Sequence, residues 1–335
     1  MSPSDSIFEA YRNTRVLVLG ANGFIGRWVS RLLTQAGAQL SLAVRNPGLA
    51  KQIFAAYQVD GALYGLEAWD LTQVESLFSE LKPQITFNLA GYGVDPRELD
   101  DRDATRINTE LPSNCCQLLF EFRDRSWTGQ AIVHAGTAAE YGRASGDLHE
   151  ETQPEPLTHY GVSKLEGTRQ FTESCRNLNV RGLTARLFTI YGLGEHPGRL
   201  LPSLLDAARD GKDLDLTSGK QERDFTYVED AAEGLLRLGL ASAAPGEVIN
   251  LATGKLHSVR HFATEAARLL NIRTDRLHFG AMPDRTDEMH HKPVNNRRLM
   301  TLTEWIPDTD IASGISLTLN FLKSAGLTFS GISHQ

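Results

Sequence analysis

The chain has 335 residues, 41% of them hydrophobic, which is enough to bury a full core in one large domain or two closely joined ones and excludes a disordered tail. Lysine and arginine number 34 against 41 aspartate and glutamate, and the resulting formal charge of −7 argues against a protein built to coat nucleic acid. Cys115 and Cys116 are adjacent and Cys175 is distant, so they make neither a disulfide framework nor a C-x-x-C motif; with no leader-like segment and no span of about 18 apolar residues, the expectation is a cytoplasmic protein without membrane or nucleic-acid partners.

Val16 to Leu19 form a continuous apolar run that stops at Gly20, the pattern of a central parallel strand buried on both faces. Gly20, Gly23 and Gly26 follow at G-x-x-G-x-x-G spacing. Phe24, Ile25, Trp28, Val29, Leu32 and Leu33 then recur at helical spacing. Glycines let backbone approach a pyrophosphate and let a helix pack tightly on its strand, while the helix N-terminus offers free N–H groups. A second strand, Leu40 to Val44, closes a βαβ unit of about 30 residues. An NAD site usually places Asp or Glu at the end of that strand. Here Val44 fills the place and Arg45 follows, so NADP(H) is expected, with Arg45 pairing the 2′-phosphate; the other reading of Arg45 is a solvated loop charge.

From Thr14 to about Leu187, short apolar strands alternate with helical stretches, which predicts an α/β fold of Rossmann type, a doubly wound parallel sheet. Strands are expected at 15–20, 39–45, 61–66, 84–90, 130–136 and 182–188, with helices at 24–36, 48–57, 72–81, 97–121 and 157–177. Asp70 leaves the third strand, where it can accept from an adenine amino group or cap the helix led by Thr72. Asn88-Leu89-Ala90-Gly91 ends the fourth strand at the edge where such sheets bind ligands. After Leu187 the pattern loosens into long polar loops around helices near 199–211, 228–240, 258–270 and 311–324. The expected division is a dinucleotide-binding domain over 1–187 and a smaller substrate-binding lobe over 188–335, interleaved with the first.

Tyr160 and Lys164 lie four residues apart in HYGVSK, on one face of a helix. A phenol of reference pKa about 10 is a poor base at neutral pH, and an ammonium beside it would lower that value. Tyr160 can then exchange a proton with a substrate hydroxyl or carbonyl while a nicotinamide exchanges hydride, with Lys164 also holding the nicotinamide ribose. The fifth strand delivers Thr137 to the same edge of the sheet. Thr137 can donate a hydrogen bond to the reacting oxygen, or bond its own turn.

Taken together, these stretches resemble the extended short-chain dehydrogenase/reductases that act on nucleotide sugars, a group often labelled NAD-dependent epimerase/dehydratase. The matching pieces are GANGFIG at Gly20–Gly26, WDL at Trp69–Leu71, NLAG at Asn88–Gly91, Asn108, GTAAEYG at Gly136–Gly142, YGVSK at Tyr160–Lys164, RLFTIYG at Arg186–Gly192 and RDFTYVEDAA at Arg223–Ala232. The resemblance implies Thr137, Tyr160 and Lys164 as the catalytic set. It implies a cofactor site of Gly20, Asn22, Gly23, Phe24, Ile25, Gly26, Asp70, Leu71, Leu89, Ala90 and Gly91, shared with Tyr160 and Lys164. Arg199, Arg223 and Arg285 are implied contacts of a sugar-nucleotide diphosphate, with salt bridges to neighbouring carboxylates as the other reading. It also implies a homodimer through the helices at 97–121 and 157–177.

Departures from the family pattern narrow the reaction. The similar 4,6-dehydratases carry Asp-Glu directly after the catalytic threonine, where this chain has Ala138 and Ala139, so dehydration is disfavoured. Thr189 stands where asparagine is usual, at a sugar or phosphate contact. Arg45 suits a cofactor consumed at each turnover. The expected function is NADPH-dependent reduction of a 4-keto group on a nucleotide-linked deoxysugar. The alternatives are an NAD-dependent nucleotide-sugar 4-epimerase and a non-catalytic NADP(H)-binding sensor. No metal is expected, since adjacent His290 and His291 lack ligand spacing and suit a surface or substrate rim. His159 is expected to pack or face solvent.

Overall fold

The computed structural model describes residues 3–66, 69–93, 98, 100–284 and 289–325. After helix α1 (Pro3–Tyr11), the chain alternates β1 (Arg15–Leu19), α2 (Phe24–Gln35), β2 (Gln39–Val44), α3 (Pro47–Tyr57), β3 (Ala62–Gly65), α4 (Leu71–Leu81) and β4 (Ile85–Asn88). A broken helical stretch follows, α5 (Asp101–Ala104) and α6 (Leu111–Phe122), then β5 (Ile132–Thr137), α7 (His159–Asn177) and β6 (Gly182–Leu187). The remaining elements are β7 (Thr189–Tyr191), α8 (Leu200–Asp210), β8 (Leu214–Leu216), β9 (Glu222–Arg223), β10 (Phe225–Tyr227), α9 (Val228–Leu240), β11 (Glu247–Leu251), β12 (His257–Ser258), α10 (Val259–Leu269), β13 (Leu277–Phe279), α11 (Arg297–Thr303) and α12 (Ile311–Ser324).

Seven strands form one parallel sheet in the order β11-β6-β5-β4-β1-β2-β3. The order reverses at β1, which places a binding crevice over the carboxyl ends of β1 and β4. Along β1 the side chains alternate between two cores. Val16 and Val18 join the layer containing α2, α3 and α9, and Leu17 and Leu19 join the layer containing α4, α6 and α7. That two-sided burial is why the strand reads as an unbroken apolar run.

The six strands expected from the sequence are present with ends shifted by one or two residues. The seventh, β11, comes from the later part of the chain and pairs with β6 over Glu247–Leu251 against Leu183–Leu187. Three two-stranded pairs, β7 with β10, β8 with β13 and β9 with β12, accompany α8, α10 and α12 outside the main sheet. Trp28 of α2 donates its indole N–H to the Leu193 carbonyl at 2.9 Å, and Tyr11 donates to the Leu236 carbonyl at 2.7 Å, so later segments are tied directly to the first βαβ unit.

The long helix expected at 97–121 is not continuous. Pro112 has no N–H to give the carbonyl of Asn108 four residues back, and the helix widens to a π turn over Thr105–Glu110, with the Leu111 N–H bonded to the Arg106 carbonyl. The widened turn holds Asn108 against α7, where a Cβ on Gly167 would collide with the Asn108 carbonyl oxygen.

Candidate active site

The glycine turn after β1 has no room for side chains. Gly20 has φ +76°, and a Cβ there would sit 2.8 Å from the Ala90 nitrogen and 2.9 Å from the Leu89 oxygen, so the ends of β1 and β4 touch through this residue. A Cβ on Gly26 would collide with the Gly20 carbonyl. Gly23 caps α2 with no side-chain bond to the first turn, which leaves a positive helix end open beside Asn22, Phe24 and Ile25. Arg27 secures the turn from behind, its Nε donating to the Gly23 carbonyl at 3.1 Å and its Nη2 to the Asn22 carbonyl at 2.8 Å. This cradle of backbone and uncapped N–H groups fits a dinucleotide pyrophosphate.

At the far end of the groove, exposed Arg45 lies 3.7 Å from Glu98, whose other oxygen accepts the Gly93 N–H at 2.8 Å. Arg45 is therefore not a lone loop charge. Asp70 caps α4, beginning at Leu71, and accepts from the N–H groups of Thr72 at 2.8 Å and Gln73 at 3.3 Å. Both bonds land on Oδ1, so the capping role seen here leaves Oδ2 for another donor.

The threonine, tyrosine and lysine converge on the carboxyl end of β5. Thr137 caps a one-turn 3₁₀ segment at Ala138–Glu140 through the Ala139 N–H at 3.2 Å, and Glu140 reaches back to accept the Thr137 N–H at 2.9 Å. The first turn of α7 rests on that segment. A Cβ on Gly161 would lie 2.6 Å from the Ala139 oxygen, and this close packing sets the Tyr160 side chain beside Thr137, which acts to lower its pKa. Buried Lys164, one turn on, donates from Nζ to the Ala135 carbonyl at 2.6 Å. Asn108 ties the same helix to the loop after β4: its side chain bonds both the N–H and the carbonyl of Tyr92 and donates to Ser163 Oγ at 3.0 Å. Gly91 and Gly93 lie along that loop, and a Cβ on Gly93 would be 3.6 Å from the Tyr160 ring.

One electrostatic expectation is overturned. Tyr160 is not lowered by Lys164 but pushed up to about 12, chiefly by burial and further by Glu140 and Glu98, against the opposing influence of Thr137 and Arg199. The ammonium is turned into the sheet toward Ala135, and Lys164 itself is brought down to about 8 by burial, opposed by Glu140. Buried His134, next to Ala135, is held well below its usual value by burial and by Lys164, and remains neutral.

On the substrate side the arginines separate. Arg199 heads α8, lies 3.9 Å from Glu195 and acts electrostatically on Tyr160; burial raises Glu195 to about 8. Arg223 lies in β9 and donates to the carbonyls of Glu222 and Met289, while Thr189 opens β7 and bonds the Asp224 carbonyl through its N–H. The His291 ring packs 6.0 Å from Phe188, which packs 6.3 Å from Tyr141, so this rim approaches the Thr137 turn. Arg285 lies outside the described residues. Among those residues no group of three or more His, Cys, Asp or Glu comes together to hold a metal, and no helix is long and apolar enough to cross a membrane. His159 is exposed. The sequence gives no signal for Arg27 and Glu195 at the site, while Glu140 lies within GTAAEYG and Arg186 opens RLFTIYG, each in a motif that does not by itself mark it as part of the site.

Comparison with known proteins bears on the family and the fold. The family model described as "NAD dependent epimerase/dehydratase family" matches residues 16–252. The chain is 29% identical over 260 residues to a dTDP-6-deoxy-L-talose 4-dehydrogenase (NAD(P)(+)) of Kitasatospora kifunensis, covering 74% of this chain and 76% of that one. It is 25% identical over 322 residues to a UDP-glucose 4-epimerase of Mycolicibacterium smegmatis, covering 92% and 99%. Among solved structures, MoeE5 in complex with UDP-glucose and NAD superimposes with a TM-score of 0.77 at 22% identity, over 93% of this chain and 99% of that one, a likeness of fold.

Proposed function

The chain belongs to the NAD dependent epimerase/dehydratase family, and on that premise we propose that it reduces a 4-keto group on a nucleotide-linked deoxysugar, using NAD(P)H. The observation that carries this reading is the approach of the Tyr160 side chain to Thr137 at the carboxyl edge of the sheet, one helical turn from buried Lys164. A bound nicotinamide supplies the hydride. Thr137 polarises the carbonyl oxygen, and Tyr160 gives its proton to that oxygen as it becomes an alkoxide. A phenol held at about 12 is protonated at neutral pH, the form that can give a proton to the emerging alkoxide. Lys164, which gives one ammonium proton to the Ala135 carbonyl, would hold the nicotinamide ribose with another.

The same turn argues against water elimination. Ala138 and Ala139 carry no acid, and the carboxylate of Glu140 is taken up by the Thr137 N–H and by Arg186. For the cofactor, Arg45 supports a 2′-phosphate and the Glu98 carboxylate beside it supports a 2′-hydroxyl. Arg199 and Arg223 are proposed as diphosphate contacts, Thr189 as a sugar contact.

The test incubates purified protein with NADPH or NADH and a panel of 4-keto-6-deoxy nucleotide sugars. Loss of reduced-nicotinamide absorbance is the expected result, and no loss with any member rejects the proposal. The second reading, a nucleotide-sugar 4-epimerase, is supported by the likeness to the Mycolicibacterium enzyme over 92% of this chain; it predicts interconversion of sugar epimers with no net consumption of cofactor. Pairing of two copies through α6 and α7 is proposed on the family resemblance and tested by light scattering.

A further inference from the structure

The mechanism above leaves one fully buried carboxylate unused, and it touches the catalytic turn from three directions. Glu140 is 0% exposed. Its Oε1 accepts the Thr137 N–H at 2.9 Å and the Thr168 hydroxyl at 3.2 Å, and its Oε2 accepts the Arg186 Nε at 2.9 Å. Thr168 stands one helical turn beyond Lys164, so the carboxylate lies beneath the same face of α7 that carries Lys164. The site is made for it: a Cβ on Gly136 would come 2.8 Å from Glu140 Oε1.

We propose that Glu140 is a positioning residue, fixing Thr137 through its backbone and placing its carboxylate under Lys164 and Tyr160, with Arg186 and Thr168 locking the carboxylate in place. A buried ion pair is a poor device for stability alone, because two well-packed apolar side chains of similar volume serve as well or better. Here the pair does something apolar groups cannot. Arg186, 4% exposed, joins β6 to the turn and stacks its guanidinium 4.5 Å from the Tyr141 ring, whose hydroxyl donates to Asn250 at 2.8 Å. Two donors on Oε1 and the Arg186 guanidinium on Oε2 thus hold the carboxylate in one orientation. The charge raises the proton affinity of both Lys164 and Tyr160. The other charged or titratable neighbours are His134 at Lys164, and Arg199 and Glu98 at Tyr160.

The inference rests on Thr137, Tyr160 and Lys164 being the catalytic set, so its test has a readout that needs no turnover. In protein labelled at the lysine side-chain nitrogen with 15N, with Lys164 assigned by Lys164→Arg, the Lys164 titration is compared between wild type and Glu140→Gln. The glutamine oxygen can still accept the Thr137 N–H but carries no charge. The expected midpoint falls below the wild-type value of about 8, and with a working substrate kcat falls about tenfold while KM changes by less than about twofold. An unmoved midpoint in a folded variant overturns the proposal. Should Glu140→Gln not fold, Thr168→Val removes one donor from the charged carboxylate and should move the midpoint upward; no movement overturns the proposal equally. If the wild type turns over no nucleotide sugar, the functional reading fails while the Lys164 titration still decides the role of Glu140.

Discussion

The Arg45 guanidinium and the Glu98 carboxylate stand 3.7 Å apart, and Glu98 is anchored on its other side by the Gly93 N–H. Because β1 lies between β2 and β4, this bridge crosses the mouth of the glycine turn. An acid that the end of β2 lacks is thereby supplied from the loop after β4. Replacing Glu98 by Gln should free Arg45 for a 2′-phosphate and strengthen NADPH relative to NADH by about threefold, a modest change because the arginine is largely exposed. Fluorescence titration with both cofactors measures the ratio; an unchanged ratio separates the pair from cofactor choice.

Tyr160→Phe removes the proton donor and leaves the ring that covers Gly93. Turnover should fall by about 10²- to 10⁴-fold with cofactor affinity unchanged. Thr137→Val should cost less, since Tyr160 remains. Cofactor titration beside steady-state rates separates chemistry from binding. A protein that only senses NADP(H) would show no functional change in either variant.

Lys164 links the site to stability. Its folded value of about 8 is below the ordinary lysine value of 10.5, so the unfolded chain binds more protons between these two limits. Stability from this residue therefore rises as pH climbs from about 8 to about 10.5 and is flat outside that window. Lys164→Met should remove the rise. Its advantage over wild type should be greater at pH 7 than at pH 10, by an amount on the order of 3 kcal/mol. Urea midpoints of the two proteins at both pH values provide the measurement, and equal differences would contradict the burial of a charged ammonium.

Gly26→Ala drives a methyl into the Gly20 carbonyl, backbone against backbone, with no flexible atom to yield. The helix must move off the turn. The expected result is a loss of dinucleotide binding together with destabilisation on the order of 1–3 kcal/mol, followed by calorimetric titration and thermal melting. A variant that binds cofactor as tightly as wild type would mean that the turn tolerates the shift.

The first half of the fold was legible because its strands are buried on both faces and its helices on one, so pattern and architecture coincide. β11 was harder to see: Glu247–Leu251 is short, follows a Pro-Gly turn, and earns its place only by pairing with β6 some sixty positions earlier. The break at Thr105–Glu110 had a visible cause in Pro112, but its purpose, holding Asn108 against Tyr92 and Ser163, is a long-range contact. Spacing and motif single out Thr137, Tyr160 and Lys164, and the structure brings the three together at the carboxyl end of β5. Glu140 stood in full view beside them and was passed over, because its partner Arg186 is on another strand. The sign of the shift at Tyr160 also escaped, since helical spacing says which residues share a face and nothing about the carbonyl that turns an ammonium away.

The late arrival of β11 has a bearing on how this protein is made. As the chain emerges in synthesis, β1 and β4, which flank the dinucleotide crevice, are made well before residue 247 exists, while β6 still shows a bare edge to any other nascent strand. A ribosome paused near residue 240 would thus hold a polypeptide whose glycine turn is already out but whose α2 still lacks α9 and whose β6 flank is unsealed, exposed to mispairing.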